Sequence, residues 1–520
     1  MALNSIGRDV PAEAAGRLWR PYQGPFEESE PKKLTINRMI HPVRPGESKL
    51  LPDLKTAIRA TGLQNGMTIS FHHAFREGDL LIGQTLSVIR ELGIRGLRFA
   101  PSAVINLRDT SLLDYVRDGT IDRVEASGIR GELGDAVLAG EMNHPVILRP
   151  HGDRPRAIEA GELHIDVAFI AASAADDYGN CTGHTGANVC GSLGYAFIDA
   201  YHADRVVVVT DTLVEYPCCP VSISQQYVDF VVKVDRIGDP ERIGTGAARL
   251  TKSPRDLMIA EKTADLIAAS RRFKNGFSFQ TGAGAIAIAT TKYLGDRMRA
   301  GNVKASFALG GIPKAIIDLY DEGMIRVVEC SQSFDADSAN AILSRERVLE
   351  IDNSDYAYAY NKGCFLNRED FGVLGALEMD TDFNVNILTG ANGKMMGGLG
   401  GGPDVAACAA IPIVALPLIR NRMPCVVKRV LTVCTPGETV AAAVTEAGIA
   451  LNPRHRNYQE LKEDLEKTDL KVISIDQLQQ MAEKLTGVPE AIATDSRIAC
   501  IVEYRDGSVI DVIRCLKASE

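Results

Sequence analysis

Gly397-Gly-Leu-Gly-Gly-Gly402-Pro403-Asp404 is the densest glycine run in the chain. Closely spaced glycines let main-chain N–H groups approach a ligand and form a concave anion site. Pro403 breaks any G-x-G-x-x-G dinucleotide register, and no Gly-Lys-Ser/Thr of a phosphate loop follows. A flexible turn needs fewer glycines than this, and the run leads into an apolar helix. Gly397, Gly398, Gly400, Gly401 and Gly402 are therefore read as a cradle for an oxyanion or a pantetheine phosphate. The turn Thr281-Gly282-Ala-Gly284 opens an Ala/Ile-rich helix and joins them as a second candidate oxyanion-binding element.

Glu329 ends the apolar run Met324-Ile-Arg-Val-Val328, which reads as a buried strand. A carboxylate at the carboxyl end of a parallel strand lies where open α/β sheets bind ligands. A salt-bridged strand-end Glu is the alternative reading. Phe71-His72-His73-Ala-Phe-Arg76 follows a strand and precedes its helix. His72, His73 and Arg76 there can receive a carboxylate substrate. Adjacent histidines lack the H-E-x-x-H spacing of a zinc helix, so no metal is expected. Asp176-Asp-Tyr-Gly-Asn180 and Asp380-Thr-Asp-Phe-Asn384 read as structural turns after strands.

The elements that must position these groups occur twice. Thr185-Gly-Ala-Asn188 recurs 204 residues downstream as Thr389-Gly-Ala-Asn392, and the same offset relates Ile121 to Ile325, Asp176 to Asp380 and Glu125 to Glu329. Because Glu329 has a repeat mate, one of the two glutamates can be structural. Such a period suits a duplicated domain rather than a solenoid. Within each copy strands alternate with helices, as in Met67–Phe71, Asp79–Leu92, Gly96–Ala100 and Val206–Thr210, which argues a mainly parallel sheet covered by helices. The expected organisation is an extended arm over 1–50, α/β domains over 51–240 and 255–435 with a ligand cleft between them, and a C-terminal accessory segment over 436–520. That last segment carries a hairpin across Asp506-Gly507 and is expected to close the second domain.

The 520 residues are 45% hydrophobic and 24% charged, with a formal net charge of −10. The acidity argues against a general nucleic-acid binder. Val405–Ile419, the most apolar stretch, is shorter than a membrane span and is broken by two prolines. The start of the chain shows no secretion signal, and eleven scattered cysteines without a C-x-x-C pair suit reduced cytoplasmic thiols.

Val327-Val-Glu-Cys330, Met379-Asp-Thr-Asp-Phe-Asn-Val-Asn386 and the glycine run, in that order, resemble the second half of the coenzyme A transferase family. The stretches Ile69–Gly78 and Gly183-His-Thr-Gly-Ala-Asn188, the N-terminal arm and the C-terminal hairpin are similar to its citrate lyase alpha-subunit branch. The resemblance implies two sugar-phosphate-isomerase-like α/β domains and the exchange of acetate for citrate on a thioester. The donor is an acyl carrier protein bearing a coenzyme A-derived group, or free acetyl-coenzyme A. No cofactor is held permanently in this chain. A citryl-cleaving beta subunit and an oligomeric assembly are further implied. In covalent members of the family the nucleophile is a Glu that maps onto Glu329. Here Cys-Ser-Gln-Ser replaces the usual Gly-containing turn after it, and the citrate branch is assigned a route without an enzyme thioester. Transfer to another small acid, thioester hydrolysis, and a non-catalytic ligand-sensing subunit are the other functions this fold can carry.

Overall fold

In the computed structural model, which describes residues 1–25, 43–104, 111–243 and 251–517, each copy of the repeat builds one large, mainly parallel sheet. The first contains β1 (Leu50–Leu51), β2 (Thr68–Phe71), β3 (Leu97–Phe99), β4 (Ile121–Ala126), β5 (Val146–Leu148), β6 (Val167–Ala171), β7 (Arg205–Thr210) and β8 (Phe230–Lys233). The second contains β9 (Phe277–Thr281), β10 (Ala305–Ile312), β11 (Ile325–Ser333), β12 (Val348–Glu350), β13 (Phe371–Gly375), β14 (Ile411–Ala415), β15 (Ala442–Val444) and β16 (Ile449–Leu451). The shared strand order is 5-4-3-2-6-7-8 in one and 12-11-10-9-13-14-15 in the other. β4 and β11, and likewise β6 and β13, begin 204 residues apart, the offset already visible in the sequence. The two Thr-Gly-Ala-Asn segments each begin three residues after a small hairpin, formed by 174–175 with 181–182 and by 378–380 with 385–386.

Local sequence explains the elements. β6 and β7 are Val/Ile/Ala-rich and almost wholly buried, as strands covered on both faces by helices must be. The helix Leu54–Thr61 starts where the Asp53 side chain accepts the Thr56 N–H and stops at Gly62, whose φ of +73° disfavours a side chain. Each sheet has its own aromatic core. Phe71 stacks on Phe169 at 5.5 Å in the first, and Phe277 on Phe279 at 5.7 Å in the second.

The tail differs from expectation. β15 and β16 extend the second sheet past residue 435, but the final hairpin, β17 (Thr494–Glu503) and β18 (Val509–Leu516), crosses back to the first sheet. There β17 pairs in parallel with β5 through Cys500, Ile501 and Val502. The physical reason is an otherwise unpaired apolar edge at β5, which the buried hairpin covers. The described part of the arm packs outside it, with Val10 and Trp19 against Ile147, Ile501 and Val509. The rest of the arm, 26–42, and most of the segment between the two halves, 244–250, lie outside the described residues.

Charge locks arm, hairpin and first sheet together. Buried Glu503 pairs with Arg17 of the arm and, at 2.5 Å, with Arg149 beside β5. Arg149 also pairs with Glu125 of β4, and Asp153 with Arg156. Breaking such a buried pair leaves uncompensated charge and costs about 3–5 kcal/mol. Glu503→Ala is expected to lower the unfolding free energy by about that amount in urea titration. A loss below about 1 kcal/mol would show the network to be energetically idle.

Candidate active site

The carboxyl ends of the strands in the two sheets face one another, and the loops leaving them interlock. After β2 the chain turns through His72-His73-Ala-Phe-Arg76. Arg76 adopts φ +50°, a conformation that costs energy for a residue with a side chain. That backbone sends its guanidinium across the interface. It donates to the Phe334 carbonyl just beyond β11 and lies 5.1 Å from the Phe334 ring. Among the described residues its buried Nη2 has no hydrogen-bond partner, and burial lowers its pKa to about 10. A buried guanidinium nitrogen with an open valence suits a carboxylate ligand.

His73 lies beside Arg76 and is held by Ser102, whose hydroxyl meets its Nδ1 at 2.6 Å. Its ring packs 4.4 Å from Tyr195 and 5.5 Å from His151. Gln332 of β11 donates to its carbonyl at 3.3 Å. The Tyr195 hydroxyl in turn bonds His151 Nδ1 at 2.6 Å. Burial, then the charges of His151, His72 and Arg76, holds His73 well below the usual imidazole range. Burial and Arg154 push His151 down to about 3. Both imidazoles are thus neutral at pH 7, and burial keeps the Tyr195 phenol protonated. Ser331, buried in β11, presents its hydroxyl toward the Tyr195 phenol.

The second half supplies main-chain donors. Among the described residues no acceptor takes the N–H of Gly400 or Gly401. Gly400 has φ +55°, and a Cβ on Gly401 would lie 2.6 Å from the Tyr356 hydroxyl. That hydroxyl bonds Gln280 at the end of β9 at 2.8 Å. A Cβ on Gly310, at φ +97°, would meet the same Gln280 amide at 2.7 Å. Gly284 caps the helix Ala285–Gly301, so the open amides of a long helix start at the cleft end of β9.

The loops are pinned across the interface. Asp404, in the first turn of the helix Gly402–Cys408, accepts the Gly152 N–H at 3.0 Å and pairs with Arg505 of the hairpin turn at 3.3 Å. The His151 N–H donates to the Gly400 carbonyl at 2.9 Å.

Several expectations change. His72 receives no ligand, because Nε2 donates to the Ala171 carbonyl at 2.8 Å and Nδ1 accepts the Ala74 N–H. Glu329 is not at a strand end, since β11 continues to Ser333 and Glu329 pairs with Leu309 and Leu349 on either side. Three residues of extended chain, about 10 Å, separate it from Gln332, which touches His73. Among the described residues no hydrogen bond or ion pair engages its carboxyl. Burial, then like-charged Asp355, raises its pKa to about 7. Its mate Glu125 is the structural one, bound into the Arg149 network. Burial alone would raise the Glu125 pKa, but Arg149 and Arg98 outweigh it and the net shift is downward. Gly397 and Gly398 serve packing. A Cβ at Gly397 would lie 2.4 Å from the Ile387 carbonyl, and Gly398 backs onto Gly128. The Gly282 N–H is taken by Val373 at 3.1 Å, and Gly402 opens its helix.

Sequence reasoning missed Ser102, His151, Tyr195, Gln280, Ser331 and Tyr356. One signal existed for His151. It follows a short apolar strand within Arg149-Pro-His-Gly152, the same post-strand position that singled out His73. The described residues hold one group able to share a metal ion, His164, Asp166 and Asp204, at the starts of β6 and β7 on the surface, away from the cleft. No helix among the described residues is long and apolar enough to cross a membrane.

A donor-rich cleft of neutral imidazoles and open amides with Arg76 matches what acyl exchange between carboxylate and thioester needs, and the comparisons agree with that chemistry. The family model for citrate lyase, alpha subunit, matches residues 47–516. The citrate lyase alpha chain of Klebsiella pneumoniae is 45% identical over 91% of this chain and 92% of its own. The crystal structure of the alpha subunit of citrate lyase from Streptococcus mutans, in complex with citrate, is similar at TM-score 0.95 and 43% identity, covering 99% of this chain and 100% of that one. A 4-hydroxybutyrate CoA-transferase from Porphyromonas gingivalis, at TM-score 0.52 and 16% identity over 81% of this chain and 97% of that one, shares the fold. Fold, cleft and sequence together place the chain in the citrate lyase alpha-subunit family.

Proposed function

We propose that this cleft exchanges the acyl group of an acetyl thioester for citrate, giving a citryl thioester and acetate. The observation that carries the reading is the meeting of Arg76, with its unpartnered Nη2, and neutral His73 with the free N–H groups of Gly400 and Gly401. The similar alpha subunit solved with citrate supports citrate as the acid. The thioester arrives on the coenzyme A-derived group of an acyl carrier protein, and a lyase subunit then cleaves the citryl product within a cytoplasmic complex.

In the first step a citrate carboxylate oxygen attacks the acetyl carbonyl. The C–S bond breaks, thiolate leaves, and a mixed citric–acetic anhydride remains. The thiolate then adds to the citryl carbonyl, the C–O bond to the bridging oxygen breaks, and acetate departs. Both additions develop an oxyanion, which the Gly400 and Gly401 amides are suited to stabilise because they are held in place before reaction. Arg76 binds a citrate carboxylate, while His73 and the His151–Tyr195 pair donate to its remaining oxygens without adding charge that would quench the attacker. The interlocked loops keep out water, which would hydrolyse the anhydride. Glu329 is proposed to act from the flank of the cleft on its electrostatics and not as the acyl acceptor, since burial and the like charge of Asp355 disfavour its ionised, nucleophilic form.

Arg76→Gln removes a charged hydrogen bond of about 1.5–3 kcal/mol, so kcat/KM for citrate is expected to fall about 10- to 150-fold with the fold intact. Steady-state exchange with acetyl-coenzyme A as donor measures this, and unchanged kinetics would remove Arg76 from the site. Gly401→Val should abolish exchange by pushing on Tyr356. Normal turnover of a well-folded variant would count against the cradle.

Glu329→Gln should retain exchange, and hydroxylamine added to the wild-type chain with acetyl donor alone should trap no label on the protein. A label on Glu329 would establish the covalent route instead. The same substitution has a stability signature. The ordinary Glu value is 4.5 and the folded value is about 7. Over that interval the folded chain keeps a proton that the unfolded chain has released. The Glu329 contribution to stability is therefore full below pH 4.5 and declines as pH rises to about 7. Glu329→Gln should flatten that part of the profile, and identical profiles for the two proteins would contradict the assignment.

A further inference from the structure

The ends of the second sheet opposite the cleft, where β9 to β12 begin, open onto a groove of about 1080 Å³. Phe307 and Tyr320 contribute aromatic surface to it, and Lys304, Arg326, Arg347 and Arg368 ring it. All four cations are exposed, and among the described residues no hydrogen bond or ion pair engages their side-chain charges. Among the described residues the one acidic side chain lining the groove, Asp321, is held by Arg345 through two bonds of 2.6 and 2.7 Å. Four uncompensated positive charges thus converge on one face of a chain whose formal net charge is −10.

The repeat provides an internal control. At the equivalent end of the first sheet three arginines meet acids, Arg90 with Asp118 at 2.6 Å, Arg117 with Glu141 at 3.0 Å and Arg123 with Asp122 at 3.7 Å, while Arg95 donates to the Thr120 hydroxyl at 2.8 Å. Asp122 is the second residue of β4, and its mate 204 positions on, the second residue of β11, is Arg326. One backbone position therefore carries opposite charge in the two halves. Cations near helix C-termini offset the helix dipole, but Arg326 lies inside a strand and serves no helix end. The fold does not require the charge, since the first half builds the same strand with an aspartate.

We propose that this groove docks a carboxylate-bearing face of another protein subunit of the complex, with Phe307 and Tyr320 as the apolar floor beneath four ion pairs. The inference rests on the reading of this chain as the transferase of a multi-subunit citrate lyase. It adds where an acidic partner sits. β11 has nine residues, so the groove lies about 30 Å along the sheet from the cleft. A partner held there is an assembly contact and leaves the thioester entrance free.

The test uses the full chain carrying Arg326→Asp with Lys304→Glu, and a second variant with Arg347→Glu and Arg368→Glu. Binding to the other purified subunits of its citrate lyase is measured at 50 and 300 mM salt. Exchange by the chain alone, with acetyl-coenzyme A and citrate, is measured alongside. For the wild type, higher salt should weaken binding, because exposed charges are screened beyond roughly 8–10 Å. For either variant the dissociation constant should rise at least tenfold, with melting temperature and chain-alone exchange unchanged. Complex formation by both variants at wild-type affinity would overturn the proposal. So would loss of self-association only, which assigns the groove to a second copy, or loss of binding to a single-stranded DNA oligomer only, which assigns it to nucleic acid. If the wild type shows no exchange while the variants still lose partner binding, the proposed reaction fails and the docking face stands.

Discussion

One buried carboxylate holds the cleft together. Asp404 sits where a helix begins in the second half, accepts the Gly152 N–H from the first half, and pairs with Arg505 from the turn of the C-terminal hairpin. Arg505 also donates to the Ala357 carbonyl at 3.1 Å, next to Tyr356. Three parts of the chain, distant in sequence, are thereby registered at one point. The approach is close enough to require glycine at 152, where a Cβ would lie 2.3 Å from the Ala357 oxygen and 2.4 Å from Asp404 itself. A charge buried this deeply is tolerated because it is paired and hydrogen-bonded, and removing either partner would strand the other. His151 follows Arg149-Pro150 and immediately precedes Gly152, so the same clamp sets its imidazole against Tyr195 and brings Gly400 alongside.

From that registration follows the electrostatic character of the site. Loops from two sheets close over one another and remove water, which keeps His73, His151 and Tyr195 uncharged. Arg76 reaches His73 from the loop after β2 with a strained backbone, while the charge of Arg154, paired with Asp199, also acts on His73 and His151. Citrate carries several carboxylates. A site with many cations would bind it tightly yet blunt the nucleophilicity of the oxygen that must attack. In the proposed exchange, Arg76 with neutral donors around it would separate holding from activation, and the preorganised amides of the glycine loop would act only when an oxyanion appears.

Duplication explains why so much of the architecture is doubled while the chemistry is not. Both halves keep the strand order, and both keep the Asp–Asn turn in which one carboxylate collects backbone N–H groups. Mates have then diverged by environment. Glu125 is surrounded by guanidiniums and belongs to the foundation of the first sheet. Glu329 has lost such partners and lies half-buried beside Asp355.

The repeat offset, the strand–helix alternation, the glycine run and the His73/Arg76 loop were legible in the sequence because each is a local or periodic property. Strand composition follows from burial on both faces, and glycine frequency follows from close backbone approach. The partner of each group was not legible. Nothing local distinguishes His72 from His73, since alternation along the chain sends one ring to the Ala171 carbonyl and the other to the cleft. Nothing near Glu329 shows that β11 runs four residues further and carries it away from the strand end. The hairpin's choice of the first sheet depended on an apolar edge at β5, more than three hundred residues earlier. The repeat and the strand–helix pattern of the sequence determined that two α/β units would form and which loops could carry chemistry. Only tertiary structure decided which of those loops meet, because that depends on burial and pairing between segments far apart in sequence.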